Sequence, residues 1–440
     1  MKRLTEAFRE IPEAAELLQC AAHHGCPAAM TGLGPVHRAH ACAALQLETG
    51  QPVLAVCGDE GEARRMAADL KSFASGEIAL LLPREFQFHT AAAASREWEQ
   101  NRIETLYRIA AEQPPFVVAT PEALVQCTMP REALLRSAFV LRYDTEAAFD
   151  TLADRLLSLG YRRCEQVEGV GQFALRGGIL DVFSPGMEQP VRIEFFGDEI
   201  DAMGAFDIVT QRRIRNVEEV TLLPAGEVLP ALAPGGAAGL AKQLMTLAEK
   251  LQKKNGREEL CKTLRADAEL LQQNALHGGY DRYAAAVYGA LHTPLEYFDA
   301  QTLVCLCDSA RVMEHTKNYL WQIKEDVKAL LQAGVLAGEW AHLTLSAEEL
   351  WESLAQKPLF LLASLPTSRY PVAPKTLLQL NAKQLSSYGG SLETAASDME
   401  QYLRNRFRVL VLCGSETRAK NLKRVLEERN IPAALDFQGE

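Results

Sequence analysis

No stretch of this 440-residue chain offers about eighteen consecutive apolar residues, so nothing in it reads as a membrane-crossing helix. The opening run MKRLTEAFREIPEAAELL is amphipathic and charged throughout, without the apolar centre of a secretion signal. Positive charge is in deficit. The 46 Lys and Arg stand against 57 Asp and Glu, for a formal net charge of -11. That balance argues against broad binding along phosphate backbones, which needs clustered cations, though it leaves a local basic patch open. None of the ten cysteines forms C-x-x-C. Cys305 and Cys307 would share one strand face, but no second pair lies nearby, so a metal site is disfavoured. His23-His24-Gly25-Cys26 reads as a solvated helix end rather than a ligand set. So many free thiols suit a reducing cytoplasm. Internal repeats and low-complexity segments are missing as well.

What remains is an ordinary globular composition, 48% hydrophobic and 23% charged, in a chain long enough for about three domains. Residues 1–130 alternate strand and helix patterns. QPVLAVCG (51–58), IALLL (78–82) and FVVAT (116–120) are strands. Between them lie a helix with Met66, Leu70 and Phe73 on one face and a longer one from about Ser95. Repeated β-α units imply a mainly parallel sheet. Over 131–214 the pattern changes to a helix ended by Gly160 and then strands separated by turns, a small α+β unit. Residues 215–375 are helix-rich, with a Leu240, Leu244, Leu247, Leu251 stripe and buried strands TLVCLCDS (302–309) and LFLLAS (359–364). The Pro-rich SLPTSRYPVAPK (364–375) reads as a linker. Residues 376–440 then read as a further unit: a helix with Leu392, Met399 and Leu403, the strand FRVLVLCG (407–414) and a helix opened by Ser415. That unit has too few elements to close a sheet, which suggests the front portion of a longer protein.

The stretch MTGLGPVHRAHACA (30–43) nearly spells a phosphate-binding loop, G-x-x-x-x-G-K-S/T. Such a loop wraps phosphates in glycine N–H groups, neutralises them with Lys and holds Mg²⁺ on a hydroxyl. Here Gly32 opens the frame and Gly34 follows within it. His37, Arg38 and Ala39 stand where Gly, Lys and Ser or Thr belong. His37 brings a Cβ into the turn, Arg38 keeps charge in a different shape, and Ala39 cannot ligate a metal. Asp308 ends a buried strand as a metal-holding acid would, but Ser309 occupies the place of a water-orienting Glu. A plain loop is the alternative reading of GLGP. Taken together, the two defects look like a nucleotide-binding core that has lost its chemistry.

In VRIEFFGDE, period-two alternation puts Val191, Ile193 and Phe195 on one face and Arg192, Glu194 and Phe196 on the other. Arg and aromatic residues together are common interface anchors. Arg176, just before Gly177-Gly178, could join that open face from a neighbouring strand, with the glycines serving a bulge or close backbone approach. The competing reading packs Phe196 under a loop and pairs the arginines with Glu194 and Asp198.

The pieces R-G-G-I-L-D-V-F (176–183), R-I-E-F-F-G-D-E-I-D (192–201) and F-D-I-V-T-Q-R (206–212) lie within one run, residues 171–213. This run resembles the region shared by the excision-repair subunit UvrB and the bacterial transcription-repair coupling factors. Weaker resemblance extends through the 32–39 loop, 95–120, 280–298 and 385–412. The defective loop, the lack of tyrosine over 83–98 and the character of 376–440 favour the coupling-factor family over UvrB. The resemblance implies an α/β fold: a degenerate RecA/helicase-like parallel sheet domain of UvrB domain 1 type, an inserted small α+β domain and the start of a further α/β domain. It implies UvrA binding through Arg176, Arg192 and Phe196, on a face that a later domain covers in the resting full-length protein. It implies no ATPase and no cofactor in this segment. ATP and Mg, and contact with RNA polymerase and DNA, would belong to a translocase motor further along the family's chain. An active ATP-dependent helicase subunit of UvrB type is the rival, and a direct DNA-binding module is disfavoured by charge.

Overall fold

The computed structural model of the chain describes residues 2–22, 25–74, 76–89, 97–253, 257–273, 278–381, 385 and 388–436. His23, His24 and residues 90–96, on which parts of the sequence reading fall, lie outside them. Four short strands come first: β1 (Ala28–Thr31), β2 (Val53–Cys57), β3 (Ile78–Leu81) and β4 (Phe116–Ala119). A second group runs from β5 (Phe139–Arg142) through β6 (Arg162–Arg163), β7 (Gln172–Arg176) and β8 (Ile179–Phe183). It continues with β9 (Val191–Phe196), β10 (Glu199–Phe206), β11 (Arg213–Asn216) and β12 (Glu219–Leu222). Three more, β13 (Leu303–Cys307), β14 (Leu359–Leu362) and β15 (Thr376–Gln379), rejoin the first four.

Those seven form one parallel sheet in the order β15-β1-β14-β13-β2-β4-β3. β1, β2, β4, β13 and β14 are buried along their whole length, as strands covered by helices on both faces must be. Alternation splits their side chains between two cores. Leu54, Val56, Val304 and Leu306 face one side; Val53, Ala55, Cys57, Leu303, Cys305 and Cys307 face the other, against the Pro35–Thr49 helix. The second sheet, β11-β10-β9-β8-β7-β6, is antiparallel except where β6 meets β7. Its inner face, with Phe173, Leu180, Val182, Ile193 and Met203, packs with Leu152 and Leu156 of the Phe149–Ser158 helix. β5 and β12 pair with each other as the chain enters and leaves this unit. The expected fold, a helix-flanked parallel sheet carrying a small antiparallel unit, is the observed one. No helix among the described residues is long and apolar enough to cross a membrane.

Two expectations change. The chain does not leave the first sheet at 375. Lys375 N–H donates to the Pro27 carbonyl, and Thr376–Gln379 pairs in parallel with β1 as the edge strand. The Pro-rich stretch is therefore a loop that returns the chain to the sheet. FRVLVLCG pairs with no strand among the described residues, and Phe407, Leu410 and Leu412 lie more than half exposed. Its apolar, β-branched sequence has strand character, but a strand exists only with a neighbour to take its N–H and C=O groups. The flanking helices, Leu392–Arg404 and Glu416–Glu428, do form.

One buried charge cluster fastens these parts. Arg84 reaches Asp281 with both Nη atoms, at 2.7 and 2.8 Å. Arg84 Nε and Arg102 Nε both approach Glu227 Oε1, at 2.9 and 3.1 Å, too far off the N–H axis for good hydrogen bonds, so these contacts are ionic. Arg102 also donates to the carbonyls of Leu82 and Ala123. Thr128 Oγ1 donates to Glu227 Oε2, and Glu227 N–H donates to Glu99 Oε1. Glu227→Ala would leave Arg102 without a counter-charge in the interior, while Arg84 keeps Asp281, and the expected loss of stability is about 3–5 kcal/mol. Urea denaturation of Glu227→Ala beside Glu60→Ala, which breaks an exposed Arg64 pair, checks this. Equal midpoints for the two variants would contradict it.

Candidate functional site

At the end of β1 the chain passes from Thr31 to a helix that begins at Pro35, with only Gly32, Leu33 and Gly34 between. Gly32 has φ +85°, and a Cβ there would sit 1.9 Å from the carbonyl oxygen of Leu380, whose N–H donates to the Thr31 carbonyl at 2.8 Å. The freedom of this glycine thus serves the return of the chain past β15. Leu33 is buried; its N–H donates to the Ala363 carbonyl, and its own carbonyl accepts from Ser364 Oγ. Gly34 N–H donates to His37 Nδ1 at 3.2 Å, closing the helix start on itself. Burial lowers the His37 pKa, which favours the neutral ring this contact needs. Because the helix starts so early, Arg38 and Ala39 lie within its first turns rather than at the mouth of a wide loop. Ala39 is fully buried in the core.

Across the sheet, β14 separates β1 from β13. Asp308 takes a left-handed conformation, φ 66°, at the end of β13, where its N–H donates to the Leu362 carbonyl. Ser309 is buried with its hydroxyl unpartnered. The acids that cluster at the end of β2, Asp59 and Glu62, were not singled out in the sequence. Both are engaged by Arg311, at 2.5 and 2.7 Å. Beneath them the thiols of Cys42, Cys57 and Cys307 meet. Cys307 Sγ donates to the Cys305 carbonyl at 3.8 Å. Among the described residues no group of three His, Cys, Asp or Glu is placed to hold a metal ion.

The second site is the outer face of the six-stranded sheet. Along β9, Val191 and Ile193 are buried and Phe195 packs on Phe149 at 4.9 Å between ring centroids, while Arg192, Glu194 and Phe196 point the other way. Phe196 is 81% exposed, so no loop covers it. The arginines do not pair with Glu194 and Asp198. Arg192 grips Asp181 on β8 with Nε at 2.7 Å and Nη2 at 2.8 Å, and Arg176 Nη2 approaches the same carboxylate at 3.6 Å. The register places Asp181 directly opposite Arg192, whereas Asp198 accepts from the Phe149 N–H. Asp181 is only 2% exposed. Its hydrogen bonds hold the Arg192 guanidinium above its ordinary pKa, and the same group lies over the Phe206 ring at 4.9 Å. Half-exposed Ile179, across from Glu194, extends the face.

Gly177 and Gly178 form the tight turn between β7 and β8. A Cβ on Gly178 would meet the Phe195 carbonyl at 2.8 Å, so the expected close backbone approach is real. The face thus brings Arg176 of β7 and Arg192 and Phe196 of β9 to either side of β8, which adds Asp181, a residue the sequence reading missed. The clue was an acid in a hairpin strand, LDVF, where alternation would place a polar residue on the arginine side. Removing a charged hydrogen-bond partner costs about 1.5–3 kcal/mol. Asp181→Ala should therefore lower the denaturation midpoint clearly, while Glu194→Ala should leave it nearly unchanged; matching midpoints would mean that the clamp contributes little.

Residues 139–227 match the family described as the UvrB interaction domain. That span runs from β5 through β12 and contains the whole open face. Over 409 residues, 92% of this chain, the sequence is 26% identical to the transcription-repair-coupling factor of Bacillus subtilis, of which it covers 35%. It is 24% identical to that of Staphylococcus haemolyticus over 93% of the chain and 35% of the relative. For Staphylococcus aureus the identity is again 24%, over 92% of the chain and 34% of the relative. The chain spans about a third of the length of these curated relatives. The resemblance expected from residues 171–213 holds on both counts.

Proposed function

We propose that this chain is the amino-terminal, UvrB-like part of a transcription-repair coupling factor. In this reading the outer face of its six-stranded sheet docks UvrA and so recruits nucleotide excision repair to stalled RNA polymerase. The observation that carries it is Phe196, an aromatic ring 81% exposed beside two arginines held by a buried carboxylate. A singly exposed apolar side chain is ordinary, but an aromatic ring beside arginines fixed by a buried carboxylate has the composition of a protein-interface anchor. The match over 139–227 supports the same reading, because it covers the strands that build this face.

ATP hydrolysis is not assigned to this segment. Leu380 fills the space beside Gly32, Ala39 has no hydroxyl for Mg²⁺, and Ser309 cannot orient a water as a carboxylate would. ATP and Mg²⁺, and the contacts with RNA polymerase and DNA, are assigned to parts of the coupling factor outside these residues.

Phe196→Ala should weaken UvrA binding by about 2 kcal/mol or more, close to thirty-fold, with an unchanged circular dichroism spectrum. Arg192→Ala should weaken it too, but part of that loss would come from releasing Asp181, so Phe196 gives the cleaner measurement. Calorimetry with purified UvrA decides the matter, and unaltered affinity in the Phe196 variant would remove this face from the interaction. Titration with ATP should show no Mg²⁺-dependent saturable heat. A Mg²⁺-dependent isotherm would favour a UvrB-type helicase subunit instead.

A further inference from the structure

We propose that the chain binds one small tetrahedral oxyanion, of the size of inorganic phosphate or sulfate, on the guanidinium of Arg38 at the carboxyl ends of β2 and β13. Among the described residues four arginines are buried, at 38, 84, 102 and 282. Arg84 has Asp281 and Glu227, Arg102 has Glu227 and two carbonyls, and Arg282 has Asp267 and the Phe88 carbonyl. Arg38 is only 6% exposed, yet among the described residues it forms no ion pair or side-chain hydrogen bond, and its buried Nε has no acceptor. A buried guanidinium without an anion is an unbalanced charge, and native interiors seldom leave one.

Three further features surround it. Arg38 belongs to the first turn of the fifteen-residue Pro35–Thr49 helix, where the dipole favours negative charge; Pro35 has no N–H and those of Leu33, Gly34 and Arg38 are engaged, which leaves Val36 and His37 as the backbone donors without an acceptor in the helix. Arg38 lies one helical turn before Cys42, which packs in one core with Cys57 and Cys307, the last residues of β2 and β13, so this turn sits at the strand ends where open α/β sheets take their ligands. Immediately after β13, the Ser309 hydroxyl is 99% buried with no partner, a free donor at the same strand end. The acids nearby are Asp59 and Glu62, both engaged by Arg311, and Asp308, which forms no ion pair with Arg38.

A nucleotide is a poor fit. The Leu380 carbonyl occupies the space at Gly32, and three residues of loop are too few to wrap a chain of phosphates. The site is thus the anion-holding part of a phosphate loop without the rest of it.

The test is thermal unfolding of the whole chain in chloride and in inorganic phosphate at matched ionic strength. Phosphate at about ten times its dissociation constant should raise the wild-type Tm by about 1.5 °C, and Arg38→Gln should abolish the rise. Phosphate and sulfate also stabilise proteins by exclusion from their surface, so equal rises in both proteins would mean a general salt effect and overturn the proposal. Should Arg38→Gln not fold, Ser309→Ala keeps the guanidinium, and its rise should fall by about half. An undiminished rise in Ser309→Ala, or no saturable broadening of the ³¹P resonance by the wild type, also overturns it. Mg·ATP stabilising the wild type more than the same concentration of phosphate would make this a nucleotide site and sink the single-anion assignment.

Discussion

Glu227 is wholly enclosed, and arginines from two separate stretches meet on its carboxylate, Arg84 from the segment after β3 and Arg102 from the Glu97–Ala111 helix. The residue lies five positions beyond β12, where the chain has just left the small sheet and must lie down on the large one. Its backbone is fixed as well: the carbonyl accepts from Tyr288 Oη and the N–H donates to Glu99. Satisfying this one charge requires the return strand, the Glu97–Ala111 helix, the post-β3 segment and the 280–283 turn to meet in a single arrangement. Buried ion clusters add little net stability compared with apolar packing, but they tolerate few alternatives.

That constraint bears directly on the face that carries Phe196. The Glu97–Ala111 helix also touches the small unit, through Gln100 Nε2 donating to the Val170 carbonyl and Glu104 packed beneath Gly186. Tyr161 Oη donates to the Leu223 carbonyl, and Ala225 N–H to that of Leu159, stitching both ends of the insertion together. One continuous apolar core runs from Leu54 and Val304 of the parallel sheet to Ile193 and Met203 of the antiparallel one. The face bearing Phe196 is therefore carried on a fixed support rather than on a tether, which reduces the ordering cost of association.

The same economy is visible within the face. Asp181 holds Arg192 in place before any partner arrives and leaves Phe196 as the apolar tip. At the other end of the molecule, the space that phosphates would need at Gly32 is taken by backbone from residue 380, so the loop's shape survives with a different filling. The parallel sheet supplies rigidity in both places, through strands buried on both faces.

Local chemistry was enough to read some of this from the residues. Continuous apolar runs marked β2, β4, β13 and β14, alternation assigned every face of β9, and the substitutions at His37, Arg38 and Ala39 were visible one residue at a time. Other features depended on what lies opposite. FRVLVLCG has strand chemistry but no described neighbour, whereas the four residues of β15 become a strand because β1 offers its edge. The Asp181–Arg192 pairing needed the β8–β9 register, the filling of Gly32 needed the distant Leu380, and Glu227 gave no signal in its own neighbourhood. Propensity and periodicity are properties of a segment and so can be read along it. Register, counter-charge and occupied space are properties of two segments at once, and only the folded chain brings them together.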